Sequence, residues 1–89
     1  MNETSINILV VDDDDKLRDL VIEYLTREGF SVTGARDSNE MDAYLESNRA
    51  DLIVLDLMLP GEDGLSIARR LRTKIETPIL ILSARGDEI

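Results

Sequence analysis

Carboxylates dominate the side chains able to do chemistry in this 89-residue chain, with 19 Asp plus Glu against 10 Lys plus Arg and a net charge of -9. Cysteine and histidine are both absent, which excludes disulfides, thiolate metal sites and the commonest general base. Any chemistry must rest on carboxylates, hydroxyls and backbone groups. Three places concentrate them: the run Asp12-Asp13-Asp14-Asp15, then Asp56 closing the apolar run Leu52-Ile53-Val54-Leu55, and Ser83 closing Ile79-Leu80-Ile81-Leu82. Two carboxylates about 4 Å apart repel by roughly 4 kcal/mol at an effective dielectric of about 20. Acids brought together at the ends of neighbouring strands are therefore expected to hold a cation or to show a raised pKa. Oxygen ligands alone select a hard cation, and magnesium fits best, held by one or two carboxylates with positions left for water or phosphate oxygens.

Simpler roles compete for the same residues. Four aspartates at a strand-to-helix turn can cap the helix and complement its dipole, and Asp14 and Asp15 are expected to do only that. Asp12, Asp14 and Glu23 approximate a calcium-loop spacing, but Lys16 stands where a ligand is needed and Leu17 where the turn glycine belongs, which excludes the loop. Asp56 has no helix start directly after it to cap, so a capping role does not account for it. The cluster Arg69, Arg70, Arg72 and Lys74 reads as a solvated face near a helix C-terminus, where positive charge is favoured.

The elements that must position these groups follow from periodicity. Ile8 to Val11, Leu52 to Leu55 and Ile79 to Leu82 are short, unbroken apolar runs suited to strands buried on both faces, and Ser31 to Ala35 alternates as an edge strand does. Between them Leu17, Leu20, Val21, Tyr24 and Leu25, then Met41, Tyr44 and Leu45, then Ile67, Ala68 and Leu71 recur at helical spacing. Asp14 and Asp15 begin the first helix, Gly29 stops it, Asp37 with Glu40 has capping-box spacing, and Gly64 opens the third helix. Strand starts at Ile6, Val32, Leu52 and Pro78 lie 26, 20 and 26 residues apart, each step fitting one strand, one helix and two short loops. The expected fold is α/β, an open, doubly wound parallel sheet with β-α-β-α-β-α-β order. Its functional crevice should lie beyond the carboxyl ends of the strands, where strand order reverses.

A composition of 43% hydrophobic and 33% charged residues belongs to one folded domain. The acidic field repels phosphate backbones and anionic lipid, so nucleic-acid binding by this chain is not expected. Apolar runs of four or five residues, and a start without basic residues followed by an apolar stretch, predict a soluble cytoplasmic chain with no export signal.

Three ordered blocks carry a resemblance. Ile8-Leu9-Val10-Val11-Asp12-Asp13-Asp14, then Asp51 to Gly64 (DLIVLDLMLPGEDG), then Pro78-Ile79-Leu80-Ile81-Leu82-Ser83-Ala84-Arg85 are similar to the receiver domain of two-component response regulators, the last two blocks most of all to the OmpR/PhoB subfamily. The resemblance implies a flavodoxin-like receiver fold in which Asp56 accepts a phosphoryl group from a sensor histidine kinase. It implies Mg2+ held by Asp12, Asp13, Asp56 and the Met58 backbone carbonyl, with Ser83 as the switch hydroxyl and Ala84 as its small neighbour. A phosphoacceptor of this kind assists its own modification and is not a turnover enzyme.

Members of that family have a lysine after a fifth strand and an aromatic switch residue on it, whereas this sequence ends six residues beyond Ser83. Lys16 and Lys74 are its only lysines, and each is expected in a helix. The expectation is a truncated receiver over residues 1–89, lacking most of the fourth helix, the fifth strand and the fifth helix, with Asp87-Glu88-Ile89 as the first turn of that fourth helix. Slow or poorly retained phosphorylation follows, together with a homo-oligomer or domain-swapped assembly. A parent protein would bind DNA through a winged-helix domain. Two other readings compete: an aspartate-nucleophile phosphatase, which needs a second acid where Met58 stands, and a receiver fragment that acts only by protein association.

Overall fold

The computed structural model describes residues 5–82, in the order β1 (Asn7–Val11), α1 (Asp15–Arg27), β2 (Ser31–Ala35), α2 (Ser38–Ser47), β3 (Leu52–Asp56), α3 (Gly64–Arg72) and β4 (Ile79–Leu82). All pairings are parallel and the sheet order is β2-β1-β3-β4. This is the doubly wound sheet expected from the periodicity, in the flavodoxin-like form that the resemblance implies, with strand starts displaced by one residue at Asn7, Ser31 and Ile79. Ser83, Ala84 and the anticipated helical turn at Asp87-Glu88-Ile89 lie outside the described residues.

The central strands are apolar throughout because both faces are covered. Leu9, Val11, Ile53 and Leu55 face α2 and α3, packing with Met41, Ala50, Leu59, Ile67 and Leu71 in the larger core. Ile8, Val10 and Val54 face α1, against Val21, Ile22, Leu25 and Phe30. The edge strands are thinner in cover. Leu80 and Leu82 of β4 remain 51% and 39% exposed, so a run that is apolar at every position is half-buried only at Ile79 and Ile81.

Helix ends are set locally. Asp14, Asp37 and Asp63 cap α1, α2 and α3 by accepting from the backbone N–H three residues on, at Leu17, Glu40 and Ser66. The capping box at α2 is displaced, because the Glu40 carboxylate accepts from the Arg36 N–H, one residue before the cap. Gly29 leaves α1 at φ +102°, a left-handed turn that favours glycine. Two sequence expectations are corrected here. Lys74 lies beyond the end of α3, because that helix stops at Arg72 and Thr73 caps it. Arg70 is not part of a solvated face; its guanidinium grips Glu62 through two bonds of 3.2 and 3.1 Å and Asp42 through a third of 3.1 Å, tying α3 to α2 and to the loop after β3.

Candidate functional site

Strand order reverses between β1 and β3, since the chain leaves β1 for β2 on one side and returns to β3 on the other. Crevices form at such a point beyond the carboxyl ends of the strands, and Asp12 and Asp56 sit there, one directly after β1 and the other ending β3. One carboxylate oxygen from each of Asp12, Asp13 and Asp56 lies within 4.8 Å of the other two. Parallel register puts the two strand ends level, Val11 beside Leu55, and the sequence then extends each by an aspartate.

Both strand ends hold their acid by the same local device. The Asp14 N–H donates to Asp12 Oδ1 at 2.9 Å and the Met58 N–H donates to Asp56 Oδ1 at 3.2 Å, so each carboxylate is oriented by the amide two residues ahead. The strand edges are closed by the Asp12 N–H to Ala35 O bond at 3.0 Å and the Leu57 N–H to Leu82 O bond at 2.8 Å. The second of these brings the end of β4 to the site. Asp12, Asp13, Asp14, Leu17, Asp56, Met58 and Leu82 line an open cleft of about 450 Å³.

The loop after β3 is shaped by Gly64, whose N–H donates to Leu57 O at 2.8 Å. A Cβ at Gly64 would stand 2.9 Å from both Asp56 O and Leu57 Cα, so only glycine allows α3 to start this close to the strand end. Leu59 is buried in the core, and Glu62 is held by Arg70. Residues 57–63 are thus anchored at both ends and in the middle, with Met58 exposed at the cleft.

Asp12 is only 6% exposed. Burial pushes its carboxyl above the ordinary value; the Asp14 N–H pulls the other way, and the charges of Asp56, Asp13 and Asp14 push it up further. None of the ion pairs among the described residues involves Asp12, Asp13 or Asp56. Three oxygen donors, one buried, without a basic side chain to balance them, fit a hard divalent cation. Asp14 caps α1 and Asp15 lies in its first turn, the helix-start roles expected of them; Asp15 in addition pairs with Arg18 at 2.7 Å.

Three features escaped the sequence reading. Arg18 Nη1 donates to the Asp12 carbonyl at 2.8 Å; its position three after Asp15 is a recognisable ion-pair spacing, but the backbone contact leaves no mark in sequence. Gly34 inside β2 was a usable signal, because glycine in a strand often marks a close approach. Asp63, three residues before Ser66, was a readable cap.

A sequence model described as "Response regulator receiver domain" matches residues 8–89. Over 87 residues the chain is 49% identical to the protein PetR of Rhodobacter capsulatus, covering 98% of this chain and 37% of that protein. It is 48% identical over 88 residues to the transcriptional regulatory protein ResD of Bacillus subtilis, covering 98% of this chain and 35% of that one. The chain therefore spans about a third of the length of these curated relatives. Among solved structures, the response regulator protein TrrA from Thermotoga maritima, in complex with Mg(2+)-BeF, superposes with a TM-score of 0.83 at 35% identity, covering 91% of this chain and 71% of that one.

Proposed function

Because this chain belongs to the response regulator receiver domain family, we propose that its acidic cleft is a phosphoacceptor centre, with Asp56 as the acceptor and Asp12 and Asp13 as cation ligands. The observation that carries it is the meeting of three carboxylate oxygens within 4.8 Å at the strand-order reversal.

In this reading an Asp56 carboxylate oxygen attacks the phosphorus of a phosphohistidine on a sensor histidine kinase. The new P–O bond forms as the P–N bond breaks, and the departing imidazole takes up a proton. The Met58 N–H holds Asp56 Oδ1, leaving the other oxygen to act as nucleophile. Asp12, Asp13, Asp56 and the Met58 backbone carbonyl would hold Mg2+, which when bound neutralises charge on the transferring phosphoryl oxygens. The solved TrrA complex with Mg(2+)-BeF supports that choice of cation in a relative of this fold. Ser83, outside the described residues, follows Leu82 at the cleft wall and is proposed as the hydroxyl drawn to the new phosphoryl group. The chain is a stoichiometric acceptor and not a turnover enzyme.

Further extensions rest on the relatives. The DLMLPGEDG wording supports an OmpR/PhoB-like subfamily, and similarity to ResD, a transcriptional regulatory protein, supports a parent that acts on transcription, for which a separate winged-helix DNA-binding domain is proposed. A cytoplasmic location accords with a kinase-dependent acceptor, and no helix among the described residues is long and apolar enough to cross a membrane. A second reading, action by association alone, is favoured by one observation, the exposed Leu80 and Leu82 on the outer strand β4.

Mass spectrometry after treatment with acetyl phosphate and Mg2+ tests the proposal. One added phosphoryl group on the wild type, lost in Asp56→Asn and in the absence of divalent cation, is expected. Modification that survives Asp56→Asn would refute the acceptor assignment, and a wild type that takes no phosphoryl group would leave association as the function.

A further inference from the structure

Arg18 is the fourth residue of α1, and its position there is electrostatically unfavourable. A helix N-terminus carries positive partial charge and favours anions, so a cation in the first turn of α1 runs against the dipole. Its side chain is nevertheless only 16% exposed and is bonded at both ends of the fork: Nη1 to the Asp12 carbonyl at 2.8 Å and Nη2 to Asp15 Oδ1 at 2.7 Å. Helical side chains lean toward the N-terminus, so residue 18 reaches back over the turn formed by residues 12–15. The path is kept open by β2. A Cβ at Gly34 would stand 2.8 Å from Ile22 Cδ1 and 3.2 Å from Arg18 Cδ.

We infer that Arg18 is a positioning residue of the acidic cleft: by bracing the Asp12 carbonyl against Asp15 across the glycine gap in β2, it fixes the turn from which the Asp12 and Asp13 carboxylates project. This rests on the proposed cation site. A planar guanidinium is suited to the task because it spans two acceptors with fixed geometry, which an ammonium cannot do. The Asp14 N–H to Asp12 Oδ1 bond belongs to the same turn, so the brace acts on carboxylate orientation without touching the carboxylate.

Charge and position predict opposite signs. If Arg18 acted only through its charge, Arg18→Gln would remove a repulsive cation and tighten Mg2+ binding; as a positioning residue, its loss should weaken binding roughly tenfold, in the range seen when groups behind metal ligands are removed. Isothermal titration of the whole chain with MgCl2 measures this, with circular dichroism reporting the fold. Weaker binding by folded Arg18→Gln supports the inference, and equal or tighter binding overturns it. Should Arg18→Gln fail to fold, Arg18→Lys decides on the same terms, since it keeps the charge and loses the fork. If the wild type binds no Mg2+, or binds it equally after Asp13→Ala, the cation site itself is wrong. Amide hydrogen exchange at Asp14 in metal-free protein then decides: faster exchange in Arg18→Gln sustains the brace, and unchanged exchange ends it.

Discussion

Asp12 combines a buried position with three acidic neighbours, and its raised pKa is a statement about stability. Because its folded-state value lies above the ordinary one, the ionised form is disfavoured in the folded protein. Stability is therefore greatest where Asp12 is protonated and falls as pH rises from the ordinary carboxylate value through the raised one. Asp12→Asn removes that loss while keeping an oxygen for the Asp14 N–H. In EDTA at neutral pH the variant should melt above the wild type, and the gain should vanish as pH falls below the ordinary carboxylate range. Saturating Mg2+ should narrow or reverse the order, because ligand binding stabilises whichever form holds it better. A lower melting temperature for Asp12→Asn in EDTA at neutral pH would show that the carboxylate is not under strain.

The turns hold the site as much as its acids do. Gly64 lets α3 begin against the backbone of the Asp56 loop, and the atoms a Cβ would meet are backbone atoms that cannot swing aside. Gly64→Ala should therefore destabilise by about 1–3 kcal/mol, the usual range for forced overpacking, and should shift the amide resonances of Leu57 and Met58. Wild-type stability in urea with unmoved resonances would contradict the close approach. The cap at Asp14 is a milder case, solvent-exposed and shared by a single bond to Leu17. Asp14→Ala should cost about 1 kcal/mol through the cap. It keeps the backbone N–H that orients Asp12, so Mg2+ affinity should change far less than in Asp13→Ala, a contrast that calorimetry resolves.

Among the described residues the two sheet faces are unequally covered, and β4 has no strand partner on its outer side. Leu80 neighbours Val54 in the register and so shares the face of α1, where Leu17, Leu20 and Tyr24 are also exposed. An edge strand with unpaired backbone groups beside apolar side chains favours association. The chain of 89 residues should accordingly form an oligomer at micromolar concentration, measured by size-exclusion chromatography with light scattering, and Leu80→Lys should shift it toward monomer. A cooperative wild-type monomer would show that the cores on the two faces suffice.

Periodicity in the sequence determined the element order, because unbroken Val and Ile runs and helical apolar spacing reflect burial residue by residue. It also marked the run that opens at Asp12, and Asp56, since an acid that ends a buried strand has little structural reason to be there; Asp13 was singled out from that run by the family resemblance. Strand order was not contained in those patterns; it needed the sheet, and only the level register of β1 and β3 decided that the adjacent Asp12 and Asp13 share one cleft with the distant Asp56. The long side chains eluded the sequence for the same reason. Arg70 looked solvated within its basic run and is clamped between Glu62 and Asp42, and Arg18 carried an ordinary helical spacing while reaching a backbone carbonyl. A flexible arginine can point several ways from one backbone position, and which acceptor it meets is fixed only when neighbouring elements pack.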